Sequence, residues 1–243
     1  MKVADINNSN FKAKPTQLAK ADKVLRLMNA HYPAASNTRY HKFNATRKSS
    51  VMQQNVAMLG LDFFLMRKNL HRSEINDSPK DYCQYLLKTI KKFRLANCGE
   101  LVRLFSFISS LNGLKARKAS LLPSSLDHCV ALIPLKEDSF EKTDFTKTPI
   151  SKLKDFLIAD PWLGVVDYAP NMAILYKNHP DYQRFIGSYK ADNYDKFINR
   201  ISLGDFYLNP KEETVNRLNA EEINSFRKTN PELFIDKKEL IKH

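Results

Sequence analysis

Three residues of reactive type stand in order along the chain: Cys98, His128 and Asp160, with gaps of 30 and 32 residues. A thiol, an imidazole and a carboxylate in one site can carry out nucleophilic acyl transfer. The imidazole takes the thiol proton, the carboxylate holds one imidazole tautomer, and the thiolate attacks a carbonyl carbon. Each residue occupies a position that suits this role. Asn97-Cys98-Gly99-Glu100 precedes the apolar run Leu101 to Leu111, in which Arg103 is the one charge. Asn97 is a natural N-cap, so Cys98 falls in the first turn of a helix. There the orphan N–H groups favour a thiolate. The N–H of Cys98 with a neighbouring amide, that of Gly99 for example, can make an oxyanion hole. His128 lies near the start of the apolar run Leu126 to Leu135. Asp160 closes another apolar run and is followed by Pro161-Trp162-Leu163-Gly164.

The elements that must hold these residues follow from hydrophobic periodicity. Leu18, Ala21, Val24, Leu25, Met28 and Tyr32 recur at helical steps from Pro15 onward, and Val51 to Met66 reads as a largely buried helix. Ser78-Pro79-Lys80-Asp81 is a helix start. Tyr82, Leu86, Ile90 and Phe93 line one face of that helix, which should end near Leu95, and Lys88, Lys91, Lys92 and Arg94 lie mostly away from it. The helix headed by Cys98 is apolar nearly all round, so it belongs in the core, and Gly113 closes it. Glu100 stands about 200° round the helix from Cys98 and is read as a stabiliser of the first turn, able to hold a neighbouring loop.

Leu126 to Leu135 is predicted to be a strand buried on both faces. His128, Val130 and Leu132 share one face; Cys129, Ala131 and Ile133 share the other, so Cys129 is read as a core residue and Asp127 as structural. Residues 136–150 form a charged loop without a core pattern. Asp155 to Ala159 is a second strand, and Val165-Val166 and Met172 to Tyr176 add a strand or a short helix. From about Pro180 the chain reads as mainly helical, anchored by Tyr182, Phe185, Tyr194 and Phe197, with an amphiphilic helical tail at the end. The expected class is α+β: a buried nucleophile helix on a small antiparallel sheet, with extra helices at both ends. The expected division is a loose segment 1–14, a basic helical region 15–95, a catalytic core 96–205 and a helical tail 206–243.

The conjunction of Asn97-Cys98-Gly99-Glu100, Asp127-His128 and Asp160-Pro161-Trp162 resembles the Cys–His–Asp core of bacterial effector cysteine enzymes of the broad papain-like/transglutaminase-like group. It spans roughly residues 95–168. The resemblance implies Cys98 as nucleophile, His128 as general base and acid, and Asp160 as the orienting carboxylate. Trp162 would shield the His–Asp pair from water, with Asn97 and Gly99 supporting the nucleophile. It also implies a host protein as substrate and delivery into the host cell by a bacterial secretion system. The sequence departs from such cores where Cys129 follows His128 directly and Pro134 interrupts the strand.

Composition narrows the alternatives. At 43% hydrophobic and 27% charged the chain reads as a soluble globular protein. No apolar run approaches the roughly 18 residues of a membrane span, and the N-terminus carries no Sec-type apolar region. With six glycines there is no Gly-rich phosphate fingerprint. A zinc site would need Cys83, Cys98, His128 and Cys129 to converge without any CxxC or HxxxH pair. No cofactor and no metal is therefore expected. The three cysteines, an odd number, argue against a disulfide framework. The net charge of +13 is concentrated: residues 1–97 carry 18 Lys/Arg against 6 Asp/Glu. That half suits an acidic protein, an anionic membrane or nucleic acid. Three functions stay open: a thiol protease, a glutamine deamidase or transglutaminase with the same triad, and a non-catalytic basic adaptor.

Overall fold

The computed structural model describes residues 15–34, 64–94, 96–122, 128–178 and 206–236. Its centre is a five-stranded antiparallel sheet: β1 (Arg117–Leu122), β2 (Cys129–Pro134), β3 (Phe156–Asp160), β4 (Val165–Tyr168) and β5 (Tyr207–Lys211), in the order β4-β3-β2-β1-β5. β2 and β3 sit inside the sheet and pair in the register Ala131↔Ala159 and Leu132↔Ile158. Both are apolar on both faces because both faces are covered. Side chains alternate, so Ala131, Ile133, Leu157 and Ala159 belong to one core and Val130, Leu132, Phe156 and Ile158 to another.

The first core is built by helices: α1 (Pro15–His31), α2 (helical over the described residues 64–76), α3 (Pro79–Phe93) and α4 (Cys98–Leu111). α3 begins as its sequence predicts: Ser78 Oγ accepts from Asp81 N–H at 3.2 Å and Pro79 takes the first turn. It ends at Phe93, with Arg94 in the left-handed region at φ 51°. The exposed Lys88, Lys91 and Lys92 form its solvated face. α4 is apolar on nearly every side because α1 and α3 flank it while the sheet lies beneath. Gly113 follows it at φ 69°, a conformation that favours glycine. The second core is covered by a short helix α5 (Ser139–Lys142) and by α6 (Ala169–Asn178), with Met172, Ala173 and Tyr176 facing in.

Several elements differ from the sequence expectation. Residues 136–150 are not without a core pattern: Phe140 and Phe145 stack on Phe156 with ring centroids 5.3 and 5.4 Å away. β1 and β5 carry no strand signal, since Arg117-Lys118 and Asn209-Pro210 break any alternation. Pro210 is tolerated because β5 is an edge strand. The segment from 206 is no simple helical tail. Phe206 and Leu208 are buried around β5, and α7 (Ala220–Thr229) buries Phe226 in the helical core. Asn112 ties this segment to the end of α4, donating to Leu233 C=O and accepting from Ile235 N–H, both at 2.8 Å. The anchors Tyr182, Phe185, Tyr194 and Phe197, most of the predicted helix 51–66 and the segment 1–14 lie outside the described residues. Among those described, no helix is long and apolar enough to cross a membrane.

The one basic residue of α4 is satisfied internally. Arg103 meets Glu74 of α2 at 2.8 Å and Glu213 at 3.0 Å, and Lys118 of β1 approaches Glu213 at 3.6 Å. Removing the guanidinium leaves two carboxylates facing each other in a largely dry site. We expect Arg103→Ala to lose about 3–5 kcal/mol of stability in urea unfolding, whereas a loss under about 1 kcal/mol contradicts this role.

Candidate active site

The head of α4 is fixed on several sides. Asn97 is the N-cap, with extended backbone at φ −92° and ψ 179°. Its N–H donates to Glu100 Oε2 at 2.9 Å, and Leu101 N–H donates back to Asn97 C=O at 2.9 Å. The buried Glu100 also receives Arg67 Nε of α2 at 3.0 Å. Glu100 therefore stabilises the first turn and anchors a neighbouring element, and Cys98 leaves the backbone at a defined point. In that turn, the N–H groups of Cys98 and Gly99 have no carbonyl four residues back within the helix to bond.

His128 and Asp160 meet at the end of the sheet. The β2–β3 register puts Asp160 beyond Ile158 on the α6 face, and His128 lies two residues before Val130 on the same face. The ladder reaches His128, whose C=O accepts from Leu121 N–H at 2.9 Å. His128 Nε2 donates to Asp160 Oδ2 at 2.7 Å, so the carboxylate defines the tautomer and Nδ1 is the nitrogen that can exchange a proton with a thiol. Asp160 is 0% exposed and His128 6%. Tyr176 of α6 donates its hydroxyl to the same Oδ2 at 3.1 Å, while Leu163 N–H donates to Oδ1 at 3.1 Å. Three donors compensate the carboxylate for its loss of water. Gly164, at φ 76°, closes this turn with an N–H bond of 2.8 Å to Asp160 C=O. Trp162 stands edge-on to the imidazole, with centroids 5.6 Å apart and planes at 69°.

The thiols bring a correction. Cys129 lies on the face opposite His128, as alternation requires, and packs against the helical core as the sequence predicts, where it meets a second thiol. It is half-buried, its sulfur lies 3.9 Å from Ser120 Oγ, and it shares a hydrogen bond with the Cys98 thiol. The helix terminus was expected to favour a thiolate on Cys98; instead that thiol is pushed up, first by its hydrogen bond to Cys129 and then by burial. The Cys129 thiol is lowered, chiefly because Cys98 donates to its thiolate, with help from Lys118 and Ser120 and against burial. Two thiols in contact lose the first proton easily and hold the second, since a second charge would face the first. Cys83 is different: it lies in the core of α3, and burial pushes its thiol well up.

The structure thus brings together His128 with Asp160 on one face and Cys98 with Cys129 on the other. Because 128 and 129 are consecutive residues, both pairs occupy one corner of the sheet. Tyr176 and Cys129 are the members that sequence reasoning missed. The hydroxyl of Tyr176 left no signal within an apolar helix face. Cys129 was detectable, since its strand face is the one on which the Cys98 helix must pack. A cavity of about 250 Å³ opens beside this corner, lined by Asn29, Pro33 and Ala34 at the end of α1, by Leu101, and by the turn Pro161–Gly164. Leu101 is three residues, about one turn, beyond Cys98. No family model, no curated protein and no solved structure matches this chain.

A Cys129 thiol whose ionisation is eased by its contact with Cys98 should be alkylated by iodoacetamide at pH 7 faster than an ordinary thiol. In Cys98→Ala, Cys129 loses its donor, its pKa rises, and its alkylation rate at pH 7 should fall by roughly tenfold, as followed by intact mass. An unchanged rate contradicts the shared hydrogen bond.

Proposed function

We propose that this protein is a cysteine-dependent hydrolase acting on a protein substrate through a thioester. Cys98 is the nucleophile, His128 the base and acid, and Asp160 the orienting group. The observation that carries the reading is the buried Asp160–His128 pair, held by Tyr176 with Trp162 edge-on to the imidazole, one residue along the chain from the thiol that Cys98 meets. A histidine used only for packing has no need of a carboxylate held by two further donors.

The steps follow from the chemistry of these groups. The Cys98 thiol must first leave Cys129 and turn past the head of β2; its proton then passes to His128 Nδ1, and the Asp160 carboxylate stabilises the imidazolium through Nε2–H. The sulfur adds to an amide carbonyl, and first-turn N–H groups of α4 take the oxyanion. Collapse breaks the C–N bond as His128 returns its proton to the leaving nitrogen. Water, deprotonated by His128, then hydrolyses the thioester and restores the thiol. The cavity walled by Leu101, one helical turn from Cys98, and by Trp162, which stands against His128, would take one substrate side chain. The resemblance of the three motifs to bacterial effector cysteine enzymes supports the same reading, with a host protein as substrate and secretion into the host cell as its route. The basic residues 1–97 would then dock an acidic protein or an anionic membrane.

The test is a comparison of a denatured host-cell proteome treated with wild-type protein or with Cys98→Ala. New peptide N-termini indicate a protease; a gain of about 1 Da at glutamine, or a cross-link, indicates the deamidase or transglutaminase reading of the same thioester. Either product should fall about a thousandfold or more in Cys98→Ala and in His128→Ala. Products that persist undiminished in Cys98→Ala, or no products with the wild type, overturn the proposal. Tyr176→Phe should be milder, about tenfold, because it removes one hydrogen bond to Asp160 and leaves His128 in place.

A further inference from the structure

We propose that Cys98 and Cys129 form a hydroperoxide-sensitive dithiol that closes to an intramolecular disulfide. The geometry behind this does not depend on whether the site hydrolyses anything. α4 packs directly on β2, and the two sulfurs, one at the first residue of each element, already share a hydrogen bond. Both residues are half-buried rather than sealed, so a small oxidant reaches them. The third cysteine, Cys83, is fully buried in another element and offers no competing partner at the surface. The setting around Cys129 is that of a reactive thiol: Ser120 Oγ lies at 3.9 Å, and Lys118 adds positive charge. Reactive thiolates that stand next to a second thiol are the ones that oxidise reversibly.

The chemistry balances with the peroxide as the oxidant. The Cys129 thiolate attacks one peroxide oxygen, the O–O bond breaks, and hydroxide leaves as water. Cys129 is then a sulfenic acid. Cys98 gives up its proton and its sulfur attacks the sulfenic sulfur; the S–S bond forms, the S–O bond breaks, and a second water departs. Two electrons pass from the two thiols to the peroxide. A dithiol reductant reverses the change by thiol–disulfide exchange. Cys98 heads its helix and Cys129 heads its strand, and the two thiols are already in contact across that packing. On the reading of Cys98 as nucleophile, closure also removes the nucleophile and protects it from irreversible oxidation.

The experiment uses the full chain and hydrogen peroxide, and needs no substrate. The protein is treated with peroxide near stoichiometry, remaining thiols are alkylated, and non-reduced peptides are mapped by mass. We expect a Cys98–Cys129 cross-linked peptide, a protein about 2 Da lighter before alkylation, and full reversal by dithiothreitol. Cys98→Ser should instead leave a sulfenic acid on Cys129, trapped by dimedone. A Cys98–Cys129 pair that stays reduced, oxidises straight to sulfinic acids, or links through Cys83 overturns the proposal. Disulfide closure in a chain that produces no acyl-transfer product would sink the hydrolase alone, while acyl transfer without closure would sink the switch alone.

Discussion

The Asp160 carboxylate ends a strand covered on both faces and has no contact with water. A charge in that position is tolerable only while donors surround it, and three elements supply them. His128 comes from the head of β2, Tyr176 from α6, and Leu163 from the turn that follows β3. Each donor is held by the structure it also helps to hold. β3 must pair with β2 in its observed register for the imidazole to reach. α6 must lie on the sheet for the phenol to reach. The glycine at 164 must turn the chain so that Leu163 N–H points inward. One buried carboxylate thereby ties together the sheet, the second core and the position of the His128 imidazole.

The opposite face is organised by α4. Its apolar circumference demands burial, and its one basic residue, Arg103, is accommodated by Glu74 and Glu213. Glu100 and Asn97 then fix its first turn, so the thiol at that turn has a defined place. That place is against Cys129. Thiol contact lowers the first ionisation of the pair and raises the second, so the helix terminus is not the sole influence on Cys98. The two faces of a thin sheet each contribute one chemical pair, and the step from residue 128 to residue 129 joins them.

Much of this was readable from residue types. Leu101 to Leu111 had to be buried because no polar face exists. Val130 to Ile133 had to be a strand inside a sheet for the same reason, and Asp160 before Pro161 marked its neighbour's end. Tyr176 was hidden because its hydroxyl acts alone within an apolar face. β1 and β5 were hidden because an edge position frees Arg117, Lys118 and Pro210 from alternation, so only tertiary pairing reveals them. Cys129 was readable as a core-facing residue, while its contact with Cys98 was not. Alternation says where a side chain points, and only the packing of α4 on that face says what it meets.

The central claim is that Cys98 carries an acyl group whose transfer depends on His128. The direct measurement is acyl-enzyme trapping: the protein is mixed with an activated ester such as a p-nitrophenyl acyl ester, quenched in acid, and mapped by mass. The account predicts an acyl thioester on Cys98, formed in a burst, and its formation slowed by about a thousandfold in His128→Ala. A label on Cys129 alone, or acylation of Cys98 at an equal rate without His128, would contradict it.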